Sequence, residues 1–262
     1  MHAATVRAVL AHCVMTASSL PIGLPPNAAV DGGRVDALFG LTAQLVAGCL
    51  FVVLVVLVAF LWRYRARPGH RAQYQTGATR AHALGVAGLA VFTFVLMDVS
   101  LARRAHADLT AQRARLEAAR GVVRIEVMPA QFSWNVRYAG PDGRFATADD
   151  AVLLDEMRVP VNVPVVVQLA PRDAIHSFFV PAFRVKQDAI PGRVTHAFFE
   201  ANRLGTFEIA CAQLCGFGHY QMRAVLHIVP RDEFDAWLAR ASGDSMRRYI
   251  EHDTESHWGW PW

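Results

Sequence analysis

Charge is scarce in this 262-residue sequence: Asp, Glu, Lys and Arg make up 18% of it, against roughly 25% in ordinary soluble domains. Lysine is nearly missing, with Lys186 alone beside 25 arginines, a bias that reads as codon usage rather than chemistry. The formal net charge is only +4, and no Lys/Arg-rich block carries interleaved aromatics, which excludes the electrostatic footprint of a nucleic-acid binder. Four cysteines are too few for a disulfide scaffold of this length, so their positions matter more than their number. Apolar residues are plentiful, at 53%. That excess over charge excludes a disordered chain and points to membrane attachment.

The chain divides by pattern into five stretches. Residues 1–38 are weakly patterned; Arg7, a short apolar run and Ala28-Ala29 fit a secretory signal peptide, although His12, Ser18, Ser19 and Pro21 break the run. His12 also stands before Cys13 where a lipidation site wants a small residue. Residues 39–99 hold two apolar runs. Phe39 to Trp62 carries no charge over 24 residues, whereas about 20 suffice to cross the hydrocarbon core. In lipid each backbone N–H needs a partner within the segment, so the run must be helical despite its many β-branched residues. A second, Gly- and Ala-richer run extends from Ala83 to Val99. Arg63, Arg65, Arg67, Arg71 and Arg80 lie between the runs without one acid, so this turn is expected on the cytoplasmic side and both ends of the chain outside. Residues 100–121, rich in Ala, Leu, Arg and Glu, read as a helical extension ending at Gly121.

From Val122 the pattern turns to β. Residues 122–128, 161–169 and 224–229 run apolar or alternate with β-branched side chains, and Pro141-Asp142-Gly143 signals a turn. Short strands over 122–241 imply an antiparallel sandwich or Greek-key barrel, closed by a short helix at 231–241. The stretch from Asp142 to Asp150 is acidic but lacks the spacing of an EF-hand calcium loop and reads as a polar hairpin tip. The tail 242–262 ends in Trp258-Gly259-Trp260-Pro261-Trp262 and suggests no role.

Chemistry concentrates in Cys211-Ala212-Gln213-Leu214-Cys215-Gly216-Phe217-Gly218-His219-Tyr220-Gln221-Met222, with His176 35 residues upstream of Cys211. A disulfide between Cys211 and Cys215 suits a domain outside the cytoplasm but leaves His219 and Met222 unexplained. Structural zinc has no use for a thioether, and the histidine spacing departs from finger and ribbon patterns. Copper uses all three donor types, because thiolate, thioether and imidazole together select it and a weak Met ligand tunes it for electron transfer. Two cysteines with three residues between them, and a histidine for each metal, suit a dinuclear site bridged by both thiolates.

This segment resembles the CuA motif of cytochrome c oxidase subunit II, Cys-x-x-x-Cys-x-x-x-His-x-x-Met. His176-Ser177-Phe178-Phe179-Val180-Pro181 is similar to that family's first histidine ligand and its following proline, and Asp188-Ala189-Ile190-Pro191-Gly192-Arg193 to the stretch that faces subunit I. The resemblance implies a two-helix transmembrane hairpin plus an all-β cupredoxin domain. It makes Cys211 and Cys215 the bridging thiolates, His176 and His219 the terminal imidazoles, Met222 the weak ligand and Gln213 a ligand through its carbonyl. It places Asp188 and Arg193 at subunit I. It also implies subunits I and III and a cytochrome c or related donor as partners, and the bacterial inner membrane with the copper domain outside. Two departures stand out. Gln213 replaces a glutamate whose carboxylate helps hold Mg²⁺, so magnesium loses a charged ligand while copper keeps its carbonyl. Gln131-Phe132-Ser133-Trp134 replaces Gln-Trp-x-Trp, putting Phe132 where electrons arrive and suggesting a changed donor, with Trp134 either beside it or a plain core aromatic. The alternatives to a terminal-oxidase subunit are a nitrous oxide reductase domain, a copper-free quinol oxidase subunit, and a membrane-anchored copper store or chaperone. The two apolar spans argue against the first, and retention of both cysteines and both histidines against the second.

Overall fold

The computed structural model describes residues 24–69, 71, 74, 77, 79–250 and 252. The signal-peptide stretch before Leu24, Cys13 and the tryptophans of the tail lie outside the described residues. Among the described residues two compact units emerge: one contains Asp36–Thr110, the other residues 24–35 together with residues 111–250.

In the first unit, α1 (Gly32–Arg63) and α2 (Arg80–Ala118) are long and apolar enough to cross a membrane. At 1.5 Å per residue the 32-residue α1 reaches about 48 Å, well beyond a hydrocarbon core of about 30 Å. Both fit a transmembrane hairpin. The absence of a Pro from either run lets the helices persist, and Thr79 caps α2 by accepting from the His82 N–H. Within α2, Phe94–Val99 winds as a π-helix, and Cys49 Sγ approaches Met97 Sδ at 3.8 Å. Beyond α1, Arg65 lies over the Trp62 ring and Arg63 over Tyr64, as suits aromatic and basic side chains at a membrane interface.

The second unit is a sandwich of two five-stranded sheets. One has the order β3-β2-β1-β5-β8, built from β1 (Val123–Ala130), β2 (Ser133–Tyr138), β3 (Ala151–Leu154), β5 (Pro164–Leu169) and β8 (Thr195–Glu200). The other has the order β4-β10-β9-β6-β7, from β4 (Glu156–Pro160), β6 (His176–Val180), β7 (Val185–Ala189), β9 (Gly205–Cys211) and β10 (Arg223–Val229). Pairing is antiparallel except where β1 meets β5 and β4 meets β10, which run parallel. Alternation decides which side chains enter the core: Ala224, Leu226 and Ile228 of β10 point in while Arg223 and Val225 are exposed. Ile125, Val127, Trp134, Val136 and Val167 from one sheet meet Phe178, Val180, Ile209 and Leu226 from the other.

Two features depart from the sequence pattern, the closing helix and the segment before α1, while the acidic stretch keeps to it. The closing helix α3 (Arg231–Arg248) runs seven residues past the expected end, with Asp232 and Glu233 in its first turn and Arg247 and Arg248 in its last, the charge order a helix dipole favours. The acidic stretch spends its carboxylates on its own backbone: Asp149 accepts from the Asp142 N–H, and Asp150 from the Ala146 N–H. It is a hairpin tip. Finally, the segment before α1 joins the sandwich. Ala28 N–H donates to Ala182 O (2.9 Å), Asn202 N–H to Ala28 O (3.0 Å) and Val30 N–H to Glu200 O (3.0 Å), and Ala28 and Ala29 are buried. Arg115 clamps this strap by pairing with both Asp31 and Glu200. Cutting after Ala29 would therefore remove core residues of the domain.

Candidate metal centre

β9 delivers Cys211 as its last residue and β10 begins just after Met222, so the loop between them is pinned at its base. The Cys211 N–H donates to Met222 O at 3.1 Å. Inside the loop, Gly216 takes φ +141, and a Cβ there would stand 2.5 Å from Gln131 Nε2. A Cβ on Gly218 would meet the Phe132 ring at 2.5 Å. Both glycines are therefore required by the close approach of the β1–β2 turn. His176 arrives from the other side as the first residue of β6.

These elements bring sulfur and imidazole together. Cys211 and Cys215 are buried free thiols with their Sγ atoms 3.8 Å apart, far from the roughly 2.05 Å of a disulfide. The donor atoms of His176, Cys211 and Cys215 lie within 4.8 Å of one another. His176 Nδ1 is 4.0 Å from Cys211 Sγ and 3.2 Å from Met222 Sδ, while Met222 Sδ is 3.7 Å from Cys215 Sγ. His219 stands outside that triplet but places Nδ1 3.7 Å from Cys215 Sγ. Gln213 turns its side chain to solvent, and its carbonyl lies 3.2 Å from Cys211 Sγ. Two donors bound at about 2.0–2.3 Å to one tetrahedral ion sit roughly 3.3–3.8 Å apart. Three of the six separations, those of Cys215 Sγ to Cys211 Sγ, Met222 Sδ and His219 Nδ1, fall in that range.

The two thiols differ electrostatically. Burial alone would raise Cys211, but its contacts with His176 and with the backbone at Gln213 and Ser177 pull it down to about 6. Burial and the neighbouring Cys211 thiolate push Cys215 up to about 11. One thiolate is thus ready at neutral pH, and the second needs a cation to form.

Around this cluster the other expected residues fall in different places. Phe132 is 37% exposed and lies over the loop glycines. Trp134 is fully buried, edge-on to Phe178 with ring centroids 5.7 Å apart. It packs beneath the surface as a core aromatic, the second of the two places open to it from the sequence. Asp188 accepts from Ser177 Oγ and Lys186 Nζ, each at 2.7 Å, and Arg193 is exposed in the next turn. Leu214, Phe217 and Tyr220 project from the loop at 77%, 96% and 67% exposure, an apolar face around the cluster.

Sequence patterns missed two contributors. Asp173 Oδ1 lies 2.8 Å from His176 Nε2, and its Oδ2 accepts from the Gln131 N–H at 2.7 Å. The Gln131 side-chain amide donates to Cys215 O at 2.5 Å. The local signals were an acid three residues before a histidine and the glutamine that opens the Gln131-Phe132-Ser133-Trp134 stretch.

The family model for the cytochrome c oxidase subunit II periplasmic domain matches residues 141–229. The alternative cytochrome c oxidase subunit 2 of Bradyrhizobium diazoefficiens is 28% identical over 233 residues, covering 80% of this chain and 81% of the relative. Cytochrome c oxidase subunit 2 of Cereibacter sphaeroides is 29% identical over 252 residues, covering 84% and 80%. The crystal structure of the periplasmic domain of subunit II (CoxB) of Bradyrhizobium japonicum is 32% identical, covering 47% of this chain and 94% of that one, with a TM-score of 0.42. Similarity to the full-length relatives extends over the helical unit as well as the sandwich. The chain belongs to the cytochrome c oxidase subunit II family.

Proposed function

We propose that this chain is the electron-accepting subunit of a terminal oxidase in the bacterial inner membrane, holding a dinuclear CuA centre on the outer side. The observation that carries the reading is a pair of unbridged, buried thiols 3.8 Å apart with a different imidazole nitrogen beside each. The donor set fits copper: two thiolates, two imidazoles, a thioether and a carbonyl form a soft, mixed cluster with no carboxylate among them. Cys211 and Cys215 would bridge, His176 and His219 would end the cluster, and Met222 and the Gln213 carbonyl would supply weak ligands. When bound, the copper pair supplies one-electron storage with little change in geometry.

The protein's own part is to hold the donors rigidly and dry. His176, Cys215 and Met222 are at most 3% exposed, so water has little access to these three donors, which limits reorganisation on electron exchange. Phe132 and the exposed loop side chains provide an apolar face for a donor, cytochrome c or a related cytochrome. Phenylalanine in place of the family's tryptophan favours a donor other than soluble cytochrome c. Asp188 and Arg193 would face subunit I, where oxygen is reduced, and subunit III would complete the complex, with proton translocation coupled to that reduction. Gln213 offers no carboxylate, so a magnesium ion at the subunit I junction would be weakly held.

Metal analysis of the purified full chain tests the reading. Two copper atoms per chain, a purple colour and a seven-line copper hyperfine pattern are expected, and Cys211→Ser or Cys215→Ser should abolish all three. One metal atom per chain, zinc, or retained colour in either variant overturns it.

A further inference from the structure

Resting on the copper reading, we infer that Asp173 is a two-handed positioning residue that joins His176 to the opposite side of the ligand cluster through Gln131. Its two oxygens do different work. Oδ1 accepts from His176 Nε2 at 2.8 Å, which puts the ring proton on Nε2 and leaves Nδ1 bare towards Cys211 Sγ and Met222 Sδ. Oδ2 accepts from the Gln131 N–H at 2.7 Å. Gln131 then donates its side-chain amide to the Cys215 carbonyl at 2.5 Å. An unbroken hydrogen-bonded path therefore runs from the histidine of β6 to the thiol loop, through the turn that carries Phe132.

Two consequences follow from this chemistry. A carboxylate accepting the distal N–H of a ligating imidazole makes the other nitrogen a stronger donor and fixes the ring plane, which favours the oxidised metal. The second hand fixes the first: with its backbone tied to Asp173 and its amide to Cys215 O, Gln131 ties the spacing between His176 and Cys215 to the same hydrogen-bonded unit. The glycines confirm how close this contact is, since a Cβ on Gly216 would collide with Gln131 Nε2 at 2.5 Å. Residues far apart in the chain, 42 positions for Asp173 and Gln131 and 84 for Gln131 and Cys215, thus act as one support.

The test uses the full chain in detergent, loaded with copper, and compares wild type with Asp173→Asn, Asp173→Ala, Gln131→Ala and the Asp173→Ala/Gln131→Ala double variant. Asp173→Asn can still accept from His176 but presents a donor where Gln131 needs an acceptor, and it is the variant most apt to fold. Asp173→Ala should weaken copper binding ten- to hundredfold. It should also shift the oxidised/reduced equilibrium about tenfold towards the reduced form, a rise of about 59 mV for one electron, and change the imidazole nitrogen hyperfine coupling seen by pulsed EPR. Asp173→Asn should fall between Asp173→Ala and wild type. Because the residues act as a unit, the double variant should lose less than the sum of the singles. An unchanged potential and nitrogen coupling in folded Asp173→Asn and Asp173→Ala, or full additivity in the cycle, overturns the inference. Loss of the two-copper signature in the wild type would instead overturn the copper reading beneath it.

Discussion

Replacing Arg137 with leucine would strand buried carboxylates on the face of its sheet turned away from the core. Its guanidinium pairs with Glu126 and approaches Asp150 at 3.5 Å, with all three side chains at most 5% exposed. Breaking such a group by removing one partner costs about 3–5 kcal/mol, so Arg137→Leu should lower the melting temperature of the full chain sharply. Arg137→Leu combined with Glu126→Leu should recover much of the loss, and a thermal melt of both variants checks this. Met222→Leu belongs to the same scale. Its sulfur lies 3.2 Å from His176 Nδ1 and is a weak partner, so the variant should keep two copper atoms and the seven-line spectrum while its midpoint potential shifts in a redox titration. The proposed copper ligands were legible because five of the six sit within one loop, whose spacing resembles a known metal motif. Asp173 and Gln131 were not. Their role depends on the registers of strands far apart in sequence, and no local pattern encodes that a turn at 131 will meet a carbonyl at 215.

At the level of elements, period-2 alternation located β1, β5 and β10 closely and composition located both long helices. The strap at 24–31 escaped notice for a physical reason. Two small residues in a row satisfy a signal-peptidase pattern and also a tight packing position, and composition cannot separate the two uses. In the structure the pair is packed: Ala28 has no exposed surface and Ala29 is 3% exposed. Ala28→Leu should therefore overpack the contact with Ala182 and destabilise the sandwich by about 1–3 kcal/mol, visible as a lower melting temperature with the helical unit unaffected. The sequence pattern ends α3 at 241, just before Ser242-Gly243. Ser242 is instead buried and the helix continues, its packing on the sandwich outweighing a local preference of about 1 kcal/mol.

For the molecule as a whole, acid is the informative perturbation. Asp188, held by Lys186 and by Ser177, titrates below the ordinary carboxylate range. A carboxylate lowered on folding contributes stability above its unfolded pKa of about 3.9 and loses it as pH falls through the folded value. Melting temperature of the full chain should fall over that acid interval, and Asp188→Asn should flatten the fall while leaving the melt at pH 7 little changed, because the group is partly exposed and screened. A slope identical to wild type would remove Asp188 from the acid response.

The strap also sets a schedule for biosynthesis. Ala28 hydrogen-bonds to Ala182 and Asn202, so the first piece of the outer domain to be translated waits for partners encoded some 170 positions later. At 5–20 residues per second that wait lasts about 9–35 s. The nascent chain must keep an unpaired strand available while two apolar helices are threaded into the bilayer. A ribosome stalled anywhere before codon 202 would expose that edge, which makes the interval before release the point at which an insertase or holdase has most to protect.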